Sequence, residues 1–257
     1  MFSKALQKIG EKALKFIQEV GQVVNLLWRI IKSFPTIPRS RQLILYQLEH
    51  IGVDSLPLVL IVAIFTGAVA SWQAAYQLKG IVPMSFLGAT TSRAIITELG
   101  PVLTGIIIAG RVGASIAAEL GTMKVTEQID ALETMAISPV RFLAMPRFLA
   151  SVLMLPLLVV FADVVAVIGA YVVANYFLGV SFFVFFLSVK RFFLFSDLMA
   201  GLIKAVFFGA VTALLGCHIG FRTEGGAEGV GHATIRSFVL SSALILILDY
   251  VLWMLIF

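Results

Sequence analysis

Six ionisable side chains sit in stretches otherwise apolar enough to cross a membrane: Glu98, Arg111, Glu119, Asp163, Lys204 and Asp249. A charge at membrane depth costs roughly 3 kcal/mol or more unless it is paired or hydrated, so such residues face protein or a water-filled cavity. Glu98, Lys204 and Asp249 come from three different stretches. One lysine and two carboxylates have two readings, a structural ion-pair set that locks helices together or the polar lining of a transport path. Arg111 and Glu119 are eight residues apart, about two helical turns, and so share a face. That placement reads as structural, with the two snorkelling or pairing near the interface. The chemistry of an enzyme is missing. The sequence has no Ser-His-Asp pattern, no HExxH and no carboxylate-rich metal motif. It also lacks GxxxxGK[ST], the loop that cradles nucleotide phosphates. Any ATP-driven step therefore belongs to another chain.

The elements that must position these residues follow from composition and periodicity. The chain has 257 residues, 60% hydrophobic and only 13% charged, with a mean hydropathy of +1.03. A soluble domain carries roughly 25% charged residues, so this chain is an integral membrane protein. Ten-residue alternating segments, the mark of a barrel, do not appear. The fold class expected is all-α: an N-terminal amphipathic interfacial helix, five transmembrane helices at about 53–78, 93–118, 147–177, 197–220 and 237–257, and a short helix within 123–138.

Residues 1–40 form the interfacial helix and a linker. Phe2, Leu6, Ile9, Ala13, Phe16, Val20, Val23 and Leu27 recur every three or four residues, while Lys4, Lys8, Lys12 and Lys15 fall largely opposite. No signal-peptide pattern is present. The aromatic run at 181–195 is read as a short interfacial element, and 222–236, RTEGGAEGVGHATIR, as a glycine-rich polar loop. The net charge of +5 comes largely from the N-terminus and points to lipid headgroups rather than nucleic acid. The single cysteine, Cys217, is read as a small buried hydrophobe.

Lysine and arginine counts orient the spans. Thirteen lie in the N-terminal segment and the loops after spans two and four, against four on the other side. The N-terminus, the 122–141 loop and the 222–236 loop are accordingly cytoplasmic, and the C-terminus lies across the membrane. Within span two, Gly105, Ala109, Gly113, Ala117 and Gly121 recur every four residues and make a stripe along which another helix can approach closely. Pro101 after Gly100 is expected to kink the span near Glu98 and free backbone polar groups there. In the following loop Val125, Ile129, Leu132 and Ala136 share a face, with Glu127, Asp130 and Glu133 elsewhere. An acidic helix matches an anionic cytoplasmic leaflet poorly and fits a groove of a soluble partner better.

The stretch ELGPVLTGIIIAGRVGASIAAELGTMKVTEQIDALETMAISPVRFLAMPRFLA, 98–150, closely resembles the MlaE (YrbE) family of permeases of MCE-associated lipid-transporting ABC systems. LIKAVFFG at 202–209, the glycine-rich segment and LDYVL at 248–252 extend the resemblance over essentially the whole chain. The resemblance implies a homodimer in the bacterial inner membrane, each copy bound to a cytoplasmic ABC ATPase. ATP and magnesium belong to that partner and no cofactor to this chain. It further implies a periplasmic MCE-domain protein, in many bacteria a STAS-domain protein, and phospholipid as the substrate moved between inner and outer membranes. By the same resemblance the acidic helix, with Val125, Glu127, Ile129, Asp130, Leu132 and Glu133, seats in the ATPase. Glu98, Lys204 and Asp249 match the family's charged residues by the lipid path. The family often has a basic residue just before that glutamate; here the position is Thr97, and Arg93 one turn earlier is the substitute. Two other functions compete: an ion-coupled secondary transporter with Glu98, Lys204 and Asp249 as a proton relay, and a non-transporting scaffold for the MCE protein.

Overall fold

In the computed structural model, the backbone of residues 2–256 and the side chains of residues 11, 14 and 17–256 are described. Among the described residues all regular structure is helical, and five helical segments are long and apolar enough to cross a membrane: Phe34–Leu78, Met84–Val125, Val140–Tyr176, Phe195–Gly220 and Gly226–Ile256. Their alternation up and down defines two ends. One carries the short helix at 128–134 and the turn at 221–225; the other carries the turn at 79–83 and the aromatic helix at 182–192.

The helices are α1 (Phe2–Lys32), α2 (Arg41–Ile51), α3 (Leu56–Leu78), α4 (Leu87–Ala94), α5 (Gly100–Ile108), α6 (Ala114–Val125), α7 (Gln128–Thr134), α8 (Met145–Tyr176), α9 (Phe182–Phe192), α10 (Phe195–Gly220) and α11 (Gly226–Ile256). The second span is one continuous rod, α4–α5–α6, interrupted by two π-helical turns, Ile95–Leu99 and Ala109–Gly113. Each π-turn contains one of the span's charges, Glu98 and Arg111. A π-turn inserts a residue and rotates the side chains beyond it, a local distortion often found at functional sites.

The core is built by small residues that let helices approach closely. On α3, Val59, Ala63, Gly67, Ser71 and Ala75 are buried at intervals of four. They pack along α8, where a Cβ on Gly67 would collide with the Ala166 carbonyl and one on Gly169 with the Ile64 carbonyl. In span two, Gly105 faces Phe208 and Gly113 faces Thr212, both on α10, while Gly121 faces Thr223 just beyond it. Ala109 and Ala117 are fully buried between them. The close-packing partner of this stripe is thus α10 of the same chain, joined by α11 where Ser237 Oγ donates to the Gly113 carbonyl at 2.9 Å. Outward faces are apolar, as lipid demands: Phe65, Val69 and Trp72 on α3 and Ile247, Tyr250 and Met254 on α11 are all exposed.

Three elements differ from the sequence-based expectation. The glycine-rich segment is no loop beyond Gly225. Gly225 and Gly226 take positive φ, 89° and 67°, turn the chain, and α11 starts at once, adding about three turns before the apolar part of the span. Helix α2 is a separate helix inside what read as the approach to span one; it packs on α8 through Ile44, Gln47 and Ile51. The acidic helix is shorter than expected, because Glu127 (φ 60°) and Ala136 (φ 59°) take left-handed conformations that end it on both sides.

In α1, the described part docks through Leu26 and Ile30 rather than through Val23 and Leu27 alone. The side chains of Phe2, Leu6, Ile9, Ala13, Phe16 and the four lysines lie outside the described residues. The aromatic run forms α9, held to α4 by Ser188 Oγ, which accepts from the Ala89 amide at 3.1 Å, and to α8 by a ring cluster of Tyr171, Phe182, Phe185 and Phe186.

Candidate functional site

Lys204 is fully buried and comes from the inward face of α10, which also carries Gly201, Ala205 and Phe208. Gly201 lets that face approach span two, since a Cβ there would collide with the carbonyl of Ile96. One turn later the lysine meets the π-turn. Its Nζ lies 2.6 Å from Glu98 Oε1 and donates to the Thr97 carbonyl at 3.3 Å. In a regular helix the Thr97 carbonyl would accept from the N–H four residues on, but that residue is Pro101 and has none. The proline therefore frees a backbone acceptor, and the lysine takes it. From α11, Asp249 continues the buried series Ala233, Ser237, Ser241 and Ile245 at the same four-residue spacing, and its Oδ1 lies 2.8 Å from Lys204 Nζ. The ammonium also sits 5.1 Å from the centre of the Trp253 ring, within cation–π range.

The three charges predicted from separate spans are thus one cluster, with the lysine sealed and the carboxylates partly open: side-chain exposure is 0% for Lys204, 34% for Glu98 and 20% for Asp249. Arg93 does not join them. Its Nε pairs with Asp197 Oδ2 at 2.9 Å, bridging α4 to the first turn of α10, nearer the α9 end. Asp197 was not anticipated. It lies two turns before Lys204 on the same face of α10, a spacing that signals it, but a carboxylate in a helix's first turn is ordinary enough to pass unnoticed.

Among the described residues no group of three potential metal ligands occurs. The family model described as Permease MlaE matches residues 44–255. The chain belongs to the MlaE permease family. It is 39% identical over 249 residues to a probable ABC transporter permease protein of Rickettsia typhi, covering 97% of this chain and 96% of the relative. It is 38% identical over 218 residues to a counterpart from Synechocystis, covering 85% and 83%. Over 258 residues it is 31% identical to the intermembrane phospholipid transport system permease protein MlaE of Haemophilus influenzae, covering 100% and 99%.

At the other end of this MlaE-family permease, Arg111 and Glu119 belong to a second polar cluster. Arg111 donates to the His50 carbonyl at 3.2 Å and to Ser55 Oγ, and lies 3.8 Å from Asp54 Oδ2. Glu119 pairs with Arg147 of α8 at 2.8 Å and accepts from Ser115 Oγ at 3.0 Å. His50 stands between the two carboxylates, 3.0 Å from Asp54 and 3.7 Å from Glu119. These contacts lock α2, span two and α8 together.

In α7, Ile129 is buried and Leu132 partly so, while Glu127, Asp130 and Glu133 are exposed; Val125 is the last residue of α6. Asp130 pairs with Lys124 at 2.8 Å. Asp130 and Glu133 also line a cleft of about 410 Å³ shared with Arg29, His218 and Arg222. Arg236 pairs with Glu19 at 2.8 Å and ties α1 to α11.

Proposed function

We propose that this ABC transporter permease moves phospholipids between the inner and outer membranes, working as a homodimer driven by a separate cytoplasmic ATPase. The observation that carries the reading is the Lys204–Glu98–Asp249 cluster: a sealed cation behind two carboxylates that are partly open at membrane depth, beside the exposed side chains of Tyr250 and Trp253. A surface that is acidic at one point and apolar around it suits an amphiphile, with headgroup at the polar point and acyl chains along the walls. The phospholipid named for the Haemophilus relative supports the substrate class.

The ATPase seats on α7 and binds ATP and magnesium, and a periplasmic MCE-domain protein exchanges lipid at the α9 end; a STAS-domain protein rides on the ATPase. The N-terminus and α7 face the cytoplasm, and the C-terminus faces the periplasm. When ATP draws the two α7 segments together, span two carries the movement as a continuous rod from α7 to Glu98, closing the cavity between the copies and displacing the lipid.

The test is transfer of labelled phospholipid by the permease–ATPase complex in proteoliposomes. ATP-dependent transfer is expected, and Lys204→Met in an intact complex should lower it at least about tenfold, which is about 1.4 kcal/mol in the rate-limiting barrier. Undiminished transfer in that variant overturns the role of the cluster. Transfer driven by a proton gradient without the ATPase establishes the ion-coupled alternative, and no transfer by a fully assembled complex the scaffold.

A further inference from the structure

Asp163 takes no part in either polar cluster. It lies about halfway along α8, is 5% exposed, and neither of its oxygens has a hydrogen-bond partner among the described residues. Among the described residues no cation pairs with it. On α3 the sole titratable side chain is Tyr76, near the far end of the helix, and Gly100–Ile108 has none. On α10, Asp197 is held by Arg93, Lys204 is committed to Glu98, Asp249 and the Thr97 carbonyl, and His218 lies in the last turn of the helix. Where α2 meets α8, Arg147 is held by Glu119. An isolated carboxylate in such surroundings is too costly to persist; it neutralises instead.

The position of its oxygen shows how. A Cβ on Gly100 would overlap Asp163 Oδ1, and that same point lies 3.1 Å from the carbonyl oxygen of Ile95. The carboxyl oxygen therefore packs against the α-carbon of Gly100, in space that exists because residue 100 is glycine, and the Ile95 carbonyl borders the same residue. Ile95 opens the π-turn, and its carbonyl already accepts the Gly100 N–H. Two acceptors that meet repel unless a hydrogen or a cation lies between them. A metal ion needs about six oxygen ligands, whereas the adjoining void is about 10 Å³ and mostly apolar, with Thr66 and Thr104 the hydroxyl residues on its lining and the Thr66 hydroxyl donating to the Val62 carbonyl. A proton needs only the two oxygens.

We propose that Asp163 is a buried proton-binding site, a neutral carboxylic acid that donates its O–H to the Ile95 carbonyl and so staples α8 to the π-turn that aims Glu98 at Lys204. Asp163 is a positioning residue in this arrangement. The π-turn is gripped from both sides, by the lysine through the carbonyl that Pro101 frees and by the acid through the carbonyl that opens the turn. What the site requires is a donor of aspartic acid's size, and it requires no charge.

The test uses the full chain in complex with its ATPase in lipid nanodiscs. Infrared spectra should show a protonated-carboxyl C=O band that shifts on labelling with ¹³C-aspartate and disappears in Asp163→Asn. Asp163→Asn keeps an N–H donor of the same size and should retain lipid transfer and coupled ATP hydrolysis within about threefold, whereas Asp163→Leu, which keeps the volume and loses the donor, should lose about tenfold or more. The absence of an infrared difference between wild type and Asp163→Asn overturns the proposal. So does an Asn variant as impaired as the Leu variant, which shows that the charge is needed, or a Leu variant equal to wild type, which shows that the bond positions nothing. The infrared arm needs no transport and stands if the Leu variant fails to assemble. It also stands if the transported substrate proves to be something other than phospholipid.

Discussion

Lys204 illustrates how a charge survives at membrane depth: it is sealed from solvent, and Glu98, Asp249 and the Thr97 carbonyl share its ammonium. Removing it alone should be costly. Lys204→Met leaves two carboxylates together without a cation, an expected loss of about 3 kcal/mol, at the low end for breaking a buried pair because Glu98 is a third exposed. The triple variant Lys204→Met, Glu98→Gln, Asp249→Asn removes all three charges and should regain most of that stability, since well-packed neutral groups often replace buried ion pairs without loss. Thermal unfolding in detergent reads the stability, and proteoliposome transfer reads the function. The triple variant should be stable and inactive; wild-type transfer by it would mean that the cluster only holds helices together. The three residues were legible in the sequence because a charge inside an apolar span is anomalous. Asp197, His50 and Asp54 were not, since they lie at helix ends where a polar residue costs little. Arg93 entered only through the family resemblance, as a substitute for a basic residue at position 97; the structure shows its guanidinium committed to Asp197.

Among the elements, the spans were readable from hydropathy and the stripe in span two from its four-residue repeat. What faces that stripe was not, because small residues license a close approach without naming the partner. The α3–α8 contact is built in the same way and was missed, its stripe being masked by Val59 and Ser71 among the small residues. In α7 the apolar positions Ile129 and Leu132 turn toward the permease and leave the acidic residues outward, the arrangement that docking to a soluble partner needs. Charge reversal by Glu127→Lys with Glu133→Lys should reduce co-purification of the ATPase and lower coupled ATP hydrolysis at least about tenfold, the scale on which like-charge juxtaposition at an interface acts. Normal co-purification together with normal coupled hydrolysis would remove α7 from the docking role.

For the whole molecule, the proposed topology puts the two ends of the helical set on opposite faces of the membrane, with the lysine- and arginine-rich end in the cytoplasm. Two exposed positions test the assignment against the background of the buried Cys217. Ile81→Cys lies in the turn after α3 and Met135→Cys just beyond α7, at 81% and 70% exposure for the native residues. In cells with a permeabilised outer membrane and an intact inner membrane, a membrane-impermeant maleimide should label position 81, and should reach position 135 only after the inner membrane is opened. The reverse pattern would invert the cytoplasmic and periplasmic faces and with them the site of ATPase docking.

By itself the sequence determined that this chain is an all-helical membrane protein, which stretches span, which side chains are anomalous within them, and to which family it belongs. These are properties of composition, periodicity and motif, each carried by residues close together in the chain. Tertiary structure alone decided that Lys204 meets Glu98 and Asp249 while Arg93 meets Asp197, that the span-two stripe faces α10, that the glycine-rich segment continues as helix, and that Asp163 is buried beside Gly100. Which charge meets which depends on the rotation and depth of each helix against its neighbours. Those are set by many small packing contacts and by where a π-turn inserts its extra residue, and no local pattern records them.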